Sequence, residues 1–481
     1  MKKNIFLFAV VLLTAFVGVS CSNEDILSEV PTPNPSKEVA ENIVTFTATL
    51  DAKGGSGMRA VSASGATTWV ENEEILISYK NTSNASQEAK ATVKSVDANG
   101  KATITAPLVD PKDESEVYFY YPYESWKSTS TINFASGQDG SLSTLSQYFD
   151  YAVDDSFITH VPYTLSVSGG VATLPSSINM VNYYLIWKLS FTDGTNDITS
   201  DITKLEIHAS AGGTTDYTIT PTAPITDYFY VVMGDLSNDD IVITAHTSSG
   251  IYRRAKSNIT LEMGKIYTTT GLALTKVEVG KVIGADGNIY TDADAATIAG
   301  TTARAMITYV GNDNCESAPY NHGLALALSD ANGGSTCQWK TSRTDAGHTY
   351  KQTSENSNFI IESGLQYNAM HDNDEYPAFK YAMANNGTAA PTGCSAWFLA
   401  SGYQWKHMAN ACKNVLGTKN SYWDLRDGFS GVGGTNLQSS DYWSSTESGT
   451  IYGWECYFGP GSCFYVDLRD KNFYVRSALA F

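Results

Sequence analysis

The stretch Glu41-Asn-Ile-Val-Thr-Phe-Thr-Ala-Thr-Leu50 alternates apolar and polar side chains, and the fold prediction starts from it. Every second residue is apolar, and threonine fills most of the positions between them. This period of two predicts a β-strand with one face in a protein core and the other in solvent. The apolar face consists of Val44, Phe46, Ala48 and Leu50.

A flexible tether follows this strand. Residues 51–57 read Asp-Ala-Lys-Gly-Gly-Ser-Gly, which contains no core-forming side chain, and Arg59 comes shortly afterwards. Proteases preferentially cut exposed loops of this kind. Cleavage after Arg59 would give a mature start at Ala60. It would also remove the strand from its sheet and leave an apolar slot that a strand of another chain can fill. The alternative is an ordinary first strand followed by an ordinary loop.

The N-terminus has the pattern of an export signal. Lys2 and Lys3 precede an uncharged, apolar run over residues 5–19, which is too short to span a bilayer comfortably. Small residues lead to Cys21, as in a bacterial lipobox. We therefore predict a lipoprotein signal peptide over residues 1–20, lipidation of Cys21 and a lipidated linker over residues 21–42. The membrane would be contacted only through this anchor, before processing. Plain secretory cleavage beside an incidental cysteine is the alternative.

The composition is that of a folded, β-rich and acidic chain. It has 481 residues, a formal charge of −19 and 12% aromatic residues, while only 17% are charged. The length corresponds to about three domains, and the aromatic content argues against disorder. The acidic balance disfavours nucleic acid and anionic membrane surfaces as partners.

Short strand patterns separated by Gly, Asn, Asp and Ser turns run from residue 43 to residue 275. This spacing predicts β-sandwiches, and the segment is longer than one typical sandwich of ~100 residues. We therefore predict two tandem β-sandwiches, over residues 43–168 and 169–275.

From residue 276 onward the pattern becomes a mixture of helices and strands. Ser401-Gly-Tyr-Gln404 matches a capping box and precedes a helical apolar period, and residues 377–383 form a second helical pattern. Six cysteines lie in this part, and an even number in an exported chain predicts disulfides, with many connectivities possible. The simplest pairing is in chain order: Cys315 with Cys337, Cys394 with Cys412, and Cys456 with Cys463.

Several phrases within residues 43–275 resemble the fimbrillin family, the lipoprotein subunits of donor-strand pili in Gram-negative gut and oral bacteria. The phrases include Ile43-Val-Thr-Phe-Thr-Ala48, Tyr120-Tyr-Pro-Tyr123 and Met263-Gly-Lys-Ile-Tyr267. One departure is Glu71-Asn-Glu-Glu74, where such proteins usually have a Gly-Asp turn. The resemblance implies transport to the cell surface, cleavage after an arginine that matches Arg59, and insertion of a strand donated by a neighbouring pilin subunit.

Residues 276–481 resemble a family of bacterial exported domains with a C-type-lectin-like fold. The phrases are Tyr442-Trp-Ser-Ser-Thr-Glu447 and Val475-Arg-Ser-Ala-Leu-Ala-Phe481. The resemblance implies an α+β, C-type-lectin-like domain. Sugar binders, protein binders and enzymes share this fold, so the fold does not define the function.

Tryptophans in the loops of this domain are candidate ligand contacts, because aromatic faces stack on sugar rings while carboxylates bind hydroxyl groups. For Trp443 we favour a packing role, and a core position is also the alternative for Trp454. The candidate ligand-binding residues are Trp423, Asp424, Arg426 and Trp454.

The loop at residues 371–375 offers Asp372, Asp374 and Glu375 as candidate calcium ligands. It lacks the spacing and the glycine of an EF-hand, so a solvated acidic loop is the interpretation that we prefer. No other cofactor is predicted. The sequence contains no Gly-x-Ser-x-Gly, His-Glu-x-x-His or phosphate-loop motif, and we predict no enzymatic activity.

Together these features predict a mainly β protein that starts as an outer membrane lipoprotein precursor and becomes a pilus tip subunit. Two sandwiches join it to the fibre, and residues 276–481 bind a host or microbial ligand, in the first instance a glycan. Two alternatives remain: a membrane-retained surface lipoprotein that binds glycans without joining a pilus, and an enzyme with a β-sandwich stem.

Overall fold

The computed structural model describes residues 42–51, 69–127, 137–144, 151–209, 215–348, 361–417, 421–461 and 464–481. The chain divides into two compact units, Met1–Asn42 and Ile43–Phe481, and all of the first unit except Asn42 lies outside the described residues. The predicted signal peptide, Cys21, Arg59 and Ala60 also lie outside them, so these assignments stay predictions.

The first part of the second unit is a nine-stranded sheet with the order β2-β3-β4-β1-β8-β7-β5-β6-β9. An additional pairing of β2 with β5 closes the sheet on itself around one apolar core. Two short helices, α1 (Tyr123–Lys127) and α2 (Ser156–Thr159), lie on this part of the chain. The strands are β1 (Ile43–Leu50), β2 (Glu74–Lys80), β3 (Ser86–Val96), β4 (Ala102–Val109), β5 (Ser115–Tyr121), β6 (Ala152–Asp154), β7 (Tyr163–Ser168), β8 (Val171–Thr173) and β9 (Met180–Asn182).

Strand β1 has the alternation that the sequence predicts. Its residues alternate strictly between exposed and buried. The threonines are exposed, and Val44, Phe46, Ala48 and Leu50 are buried. β-Branched threonines suit the solvated face of a pleated strand, and the apolar residues join the first core.

The predicted boundary between the sandwiches, after residue 168, is wrong. It falls in the turn between β7 and β8, which pair with each other, and β8 also pairs with β1. The first sheet therefore continues to Asn182, the end of β9.

The second part is a sandwich of two sheets around a shared core. The three-stranded sheet has the order β13-β10-β16, and the five-stranded sheet has the order β12-β11-β14-β15-β17. The strands are β10 (Leu185–Thr192), β11 (Ile202–Ala209), β12 (Thr215–Ile219), β13 (Phe229–Met233), β14 (Leu236–Thr247), β15 (Gly250–Leu261), β16 (Ile266–Ala273) and β17 (Thr275–Lys276).

The C-terminal domain, residues 277–481, is mixed α and β. A six-stranded sheet runs β19-β18-β20-β21-β28-β23, and two smaller sheets run β24-β25-β26 and β22-β27. The strands are β18 (Val282–Gly284), β19 (Ile289–Tyr290), β20 (Ala303–Val310), β21 (Gly323–Ala327), β22 (Cys337–Gln338), β23 (Phe398–Leu399), β24 (Asp441–Ser448), β25 (Tyr452–Tyr457), β26 (Phe464–Leu468), β27 (Asn472–Phe473) and β28 (Ser477–Ala480). The helices are α3 (Ala293–Ile298), α4 (Asn368–His371), α5 (Pro377–Ala384), α6 (Gly402–Cys412) and α7 (Ser421–Asp427).

Helix α6 begins with the predicted capping box. The side chain of Ser401 accepts a hydrogen bond from the backbone of Gln404, and the side chain of Gln404 accepts one from the backbone of Ser401. The second predicted helix is α5, and it begins at Pro377 as expected. None of the described helices has the length and apolar character needed to cross a bilayer.

Two of the predicted disulfides are absent, because Cys315, Cys337, Cys394 and Cys412 are free cysteines. They lie in different places: Cys337 packs in one apolar cluster, Cys412 lies in another, and Cys394 lies 3.8 Å from the Arg253 guanidinium. Burial raises the pKa of the Cys315 and Cys337 thiols to about 12, which disfavours the reactive thiolate. The third predicted bond involves Cys463, which lies outside the described residues.

Candidate functional site

Strand β1 lies inside its sheet and is paired along both edges. On one edge all eight residues pair antiparallel with β4, from Ile43 opposite Val109 to Leu50 opposite Ala102. On the other edge the pairing is parallel and short, at Thr45 and Phe46 with β8, with one further bridge from Leu50 to Ile178. Removing β1 would therefore expose two unpaired strand edges at once.

The inward face of β1 fills the centre of the first core. Phe46 is fully buried and stacks on Phe119 at a ring-centroid distance of 5.9 Å. Val44 and Leu50 are equally buried. Each large apolar side chain contributes about 2 kcal/mol of hydrophobic stabilisation. A sheet without β1 would contain a continuous apolar slot in their place.

Asp51, the residue after β1, is held from several sides. Its backbone N–H donates to Ile178 O (2.8 Å), and its carboxylate binds Lys101 Nζ (2.7 Å) and Ser177 Oγ (2.9 Å). Trp69 Nε1 donates to Asp51 O at 2.8 Å. Asp51 and Trp69 are the described residues on either side of the segment that contains Arg59, and they contact each other. A chain can be cut between two residues that are held together in this way without separating them.

Two of the predicted ligand contacts are buried, which corrects their assignment to a binding surface. Trp454 is 1% exposed and Asp424 is 2% exposed. The carboxylate of Asp424 accepts a hydrogen bond from Asn414 N (3.3 Å), which ties α7 to the segment that follows α6. Both side chains therefore pack inside the domain and are not accessible to a ligand.

Trp423 and Arg426 are half-buried and contact each other. Trp423 Nε1 donates to Gly459 O (3.2 Å), and the Arg426 guanidinium lies 5.5 Å from the Trp423 ring. Arg426 also forms two hydrogen bonds with the neighbouring Asp427, at 2.7 and 3.0 Å. Their role in ligand binding stays a prediction.

The sequence motifs on which the lectin-like resemblance is based lie in the interior of the domain. Trp443 is fully buried, as predicted, and its Nε1 donates to Cys337 O at 2.9 Å. The buried Arg476 binds Asp330 at 2.7 Å, and the Tyr442 hydroxyl donates to the same carboxylate. Buried charges must be paired, so these contacts stabilise the interior of the domain.

The sheet β24-β25-β26 presents a surface that the sequence analysis missed. The strand register places Glu455 opposite Tyr465, and Asp441 opposite Tyr457. Tyr465 is 42% exposed, and its ring lies 6.2 Å from that of Tyr457. Because side chains alternate along a strand, five side chains share one face with the fully buried Trp443, and we call these five the acidic tyrosine face. They are Asp441, Glu455, Tyr457, Tyr465 and Asp467.

Burial raises the pKa of Glu455 to about 8, and the neighbouring Asp441 adds to the shift. The two carboxyl groups share a hydrogen bond, and the pKa of Asp441 is also raised by burial. The accessible part of this face therefore offers the exposed ring of Tyr465 beside the acidic side chain of Asp467, while the buried Glu455 shares its proton with Asp441. An aromatic ring beside acidic side chains suits polyhydroxylated ligands.

Two of the three acidic side chains in the loop predicted as a calcium candidate form ion pairs with lysines. Lys380 pairs with Asp374, and Lys340 lies 3.3 Å from Glu375. Within the described ranges, one set of three potential metal ligands has all ligand atoms within 4.8 Å of one another, and it lies elsewhere, at Glu206, His246 and His322. The structure thus favours the solvated acidic loop.

The chain matches no protein-family model and no curated protein. Among solved structures, it is similar to a fimbrial protein from Bacteroides ovatus, with 13% identity, a TM-score of 0.37 and coverage of 92% of this chain and 100% of the other. A proposed cell adhesion protein from the same species has 13% identity, a TM-score of 0.28 and coverage of 50% and 97%. A proposed cell adhesion protein from Parabacteroides distasonis has 8% identity, a TM-score of 0.24 and coverage of 46% and 83%. TM-scores this low carry no argument about fold or activity.

Proposed function

We propose that this protein is a fimbrial adhesion subunit that joins its fibre by donor-strand exchange at the cell surface. The observation that carries this proposal is the placement of β1. It is an inner strand, its apolar face fills the core, and Asp51 and Trp69, on either side of the segment that contains Arg59, contact each other.

The proposed assembly has three steps. Lipidation of Cys21 holds the precursor at the outer membrane. Cleavage after Arg59 leaves β1 attached only to the N-terminal segment, so that it is held in the sheet by non-covalent contacts alone. The strand of a neighbouring subunit, with apolar residues at alternate positions, then replaces β1 along the edge of β4.

We also propose that the C-terminal domain is lectin-like and acts by binding a host or microbial ligand rather than by catalysis. The acidic tyrosine face supports a glycan ligand, because exposed rings stack on sugars while carboxyl groups bind their hydroxyls. Strand β28 is paired with β21 and β23, so it is not free for donation. We place the subunit at the fibre tip, where a ligand can reach the C-terminal domain.

N-terminal sequencing of protein from sheared fibres tests the assembly mechanism. We expect the fibre-borne chain to begin at Ala60. Arg59→Ala should leave the protein unprocessed and absent from fibres. Lys53→Ala, in the same tether, is the matched control and should be processed normally. A fibre-borne chain that begins at Cys21, or processing unaffected by Arg59→Ala, would contradict the proposal and favour a permanent first strand.

A further inference from the structure

Three potential metal ligands meet where the second sandwich contacts the C-terminal domain. Glu206 Oε2 lies 2.6 Å from His246 Nε2 and 2.7 Å from His322 Nε2. All three ligand atoms lie within 4.8 Å of one another. The residues come from distant parts of the sequence, so only the tertiary structure brings them together.

The supporting elements hold these side chains in place. Glu206 lies on β11 and His246 on β14, which are paired neighbours in the five-stranded sheet. His322 immediately precedes β21, and its backbone N–H donates to Phe481 O at 2.8 Å. Two ligands thus belong to the sandwich and one to the C-terminal domain.

We propose that Glu206, His246 and His322 bind one divalent transition-metal ion of the Zn²⁺ class, which joins the second sandwich to the C-terminal domain. Two imidazoles and one carboxylate are a common donor set for zinc, with an open fourth position. Ligand atoms around a tetrahedral zinc ion lie roughly 3.4 Å apart. The rings therefore need to move outward by less than about 1 Å from their present contacts.

The two oxygens of the Glu206 carboxylate have different partners. Lys204 contacts Oε1 (2.7 Å), whereas both histidines contact Oε2. The oxygen that would bind the ion is thus not the one that binds the lysine.

A cavity beside the cluster provides room for a fourth ligand. It has a volume of about 40 Å³ and is lined in part by Glu206, His322 and Asp216. That volume holds a water molecule. His322 Nδ1 is buried and has no hydrogen-bond partner among the described residues.

Calorimetric titration of ZnCl₂ into the purified, chelator-treated full chain tests the proposal. We expect one ion per chain and a rise in melting temperature with Zn²⁺. Glu206→Gln keeps the size of the side chain and should lower the affinity at least about tenfold. It should also abolish the Zn²⁺-dependent rise. His246→Gln, at a partly exposed position, provides a second variant if Glu206→Gln fails to fold.

His160→Asn is the matched control, because it removes an exposed imidazole at a left-handed residue where asparagine is tolerated. It should bind Zn²⁺ like the parent chain. Three results would overturn the proposal: no saturable binding of Zn²⁺, equal affinity in the parent and in both cluster variants, or a site that binds Ca²⁺ and ignores Zn²⁺. Because strand exchange is not involved in this titration, its result is independent of the assembly mechanism.

Discussion

Glu455 shows how a single buried residue makes stability depend on pH. Its pKa in the fold is about 8, against an ordinary value of 4.5, so the native state binds one more proton than the unfolded state between these values. Stability therefore falls as the pH rises through that window. We expect Glu455→Gln to flatten the decline of the melting temperature between about pH 5 and pH 8. Glu71→Gln, at an exposed carboxylate, should melt like the parent; an unchanged pH slope in Glu455→Gln would contradict the assignment.

Tyr465 is the residue on which the ligand proposal depends most directly. Its exposed ring pairs with that of Tyr457 on the acidic tyrosine face. We expect Tyr465→Ala to weaken glycan binding roughly tenfold, the effect of losing one stacked aromatic ring. Tyr452 is 40% exposed but alternates to the other face of β25, so Tyr452→Ala is the matched control. A glycan array with both variants measures the loss of glycan binding. An equal loss in Tyr465→Ala and Tyr452→Ala would show that the binding surface lies elsewhere.

Trp443 has the opposite character, because it supports the fold. Its ring contacts Phe473 at 4.5 Å, and its Nε1 is hydrogen-bonded in the interior. We expect Trp443→Ala to lower the free energy of unfolding by roughly 3–5 kcal/mol. Denaturant titration measures the change, with the half-buried Trp423→Ala as the comparison. A Trp443→Ala variant as stable as the parent would show that the surrounding cluster repacks without a cavity.

At the scale of elements, β1 is the segment whose exchange can be reproduced in solution. A recombinant chain that begins at Ala60 lacks β1, and a peptide of residues 41–51 should bind in its place and raise the melting temperature. The same peptide with Phe46→Asp should fail, because position 46 is fully buried. A Thr47→Asp peptide should still bind, because position 47 faces solvent. Equal effects of the two altered peptides would mean that the slot is not the binding site.

The elements also show what a sequence can and cannot predict. The alternation of β1 and the capping box of α6 are local, and both are confirmed. The predicted domain boundary after residue 168 falls at Gly169-Gly170, inside a hairpin. Both glycines have positive φ angles, 60° and 79°, which suits a tight hairpin turn between β7 and β8. Composition alone does not distinguish a turn from a linker.

At the scale of the whole molecule, both proposed binding sites depend on contacts between distant segments. The acidic tyrosine face requires the register of three strands, and the Glu206 cluster requires docking of the C-terminal domain on the sandwich. Neither arrangement leaves a periodic pattern in the sequence. The predicted pairs Cys315–Cys337 and Cys394–Cys412 are wrong for a related reason, because spacing along the chain contains no information about which apolar cluster each thiol enters.

The docking of the C-terminal domain on the second sandwich makes a last prediction possible. Arg253 on β15 is 2% exposed, donates from Nη2 to Gly393 O at 2.7 Å, and lies 5.6 Å from the ring of Phe481. Arg253→Ala removes this contact and leaves the carbonyl of the partly buried Gly393 without the guanidinium donor, which costs about 1 kcal/mol. We expect faster hydrogen exchange in residues 391–396 and around β28, with no change in the first sheet. Arg254→Ala, at the exposed neighbouring position, should exchange like the parent. If Arg253→Ala instead loosens the nine-stranded sheet or has no effect, the two parts are not held together through this arginine.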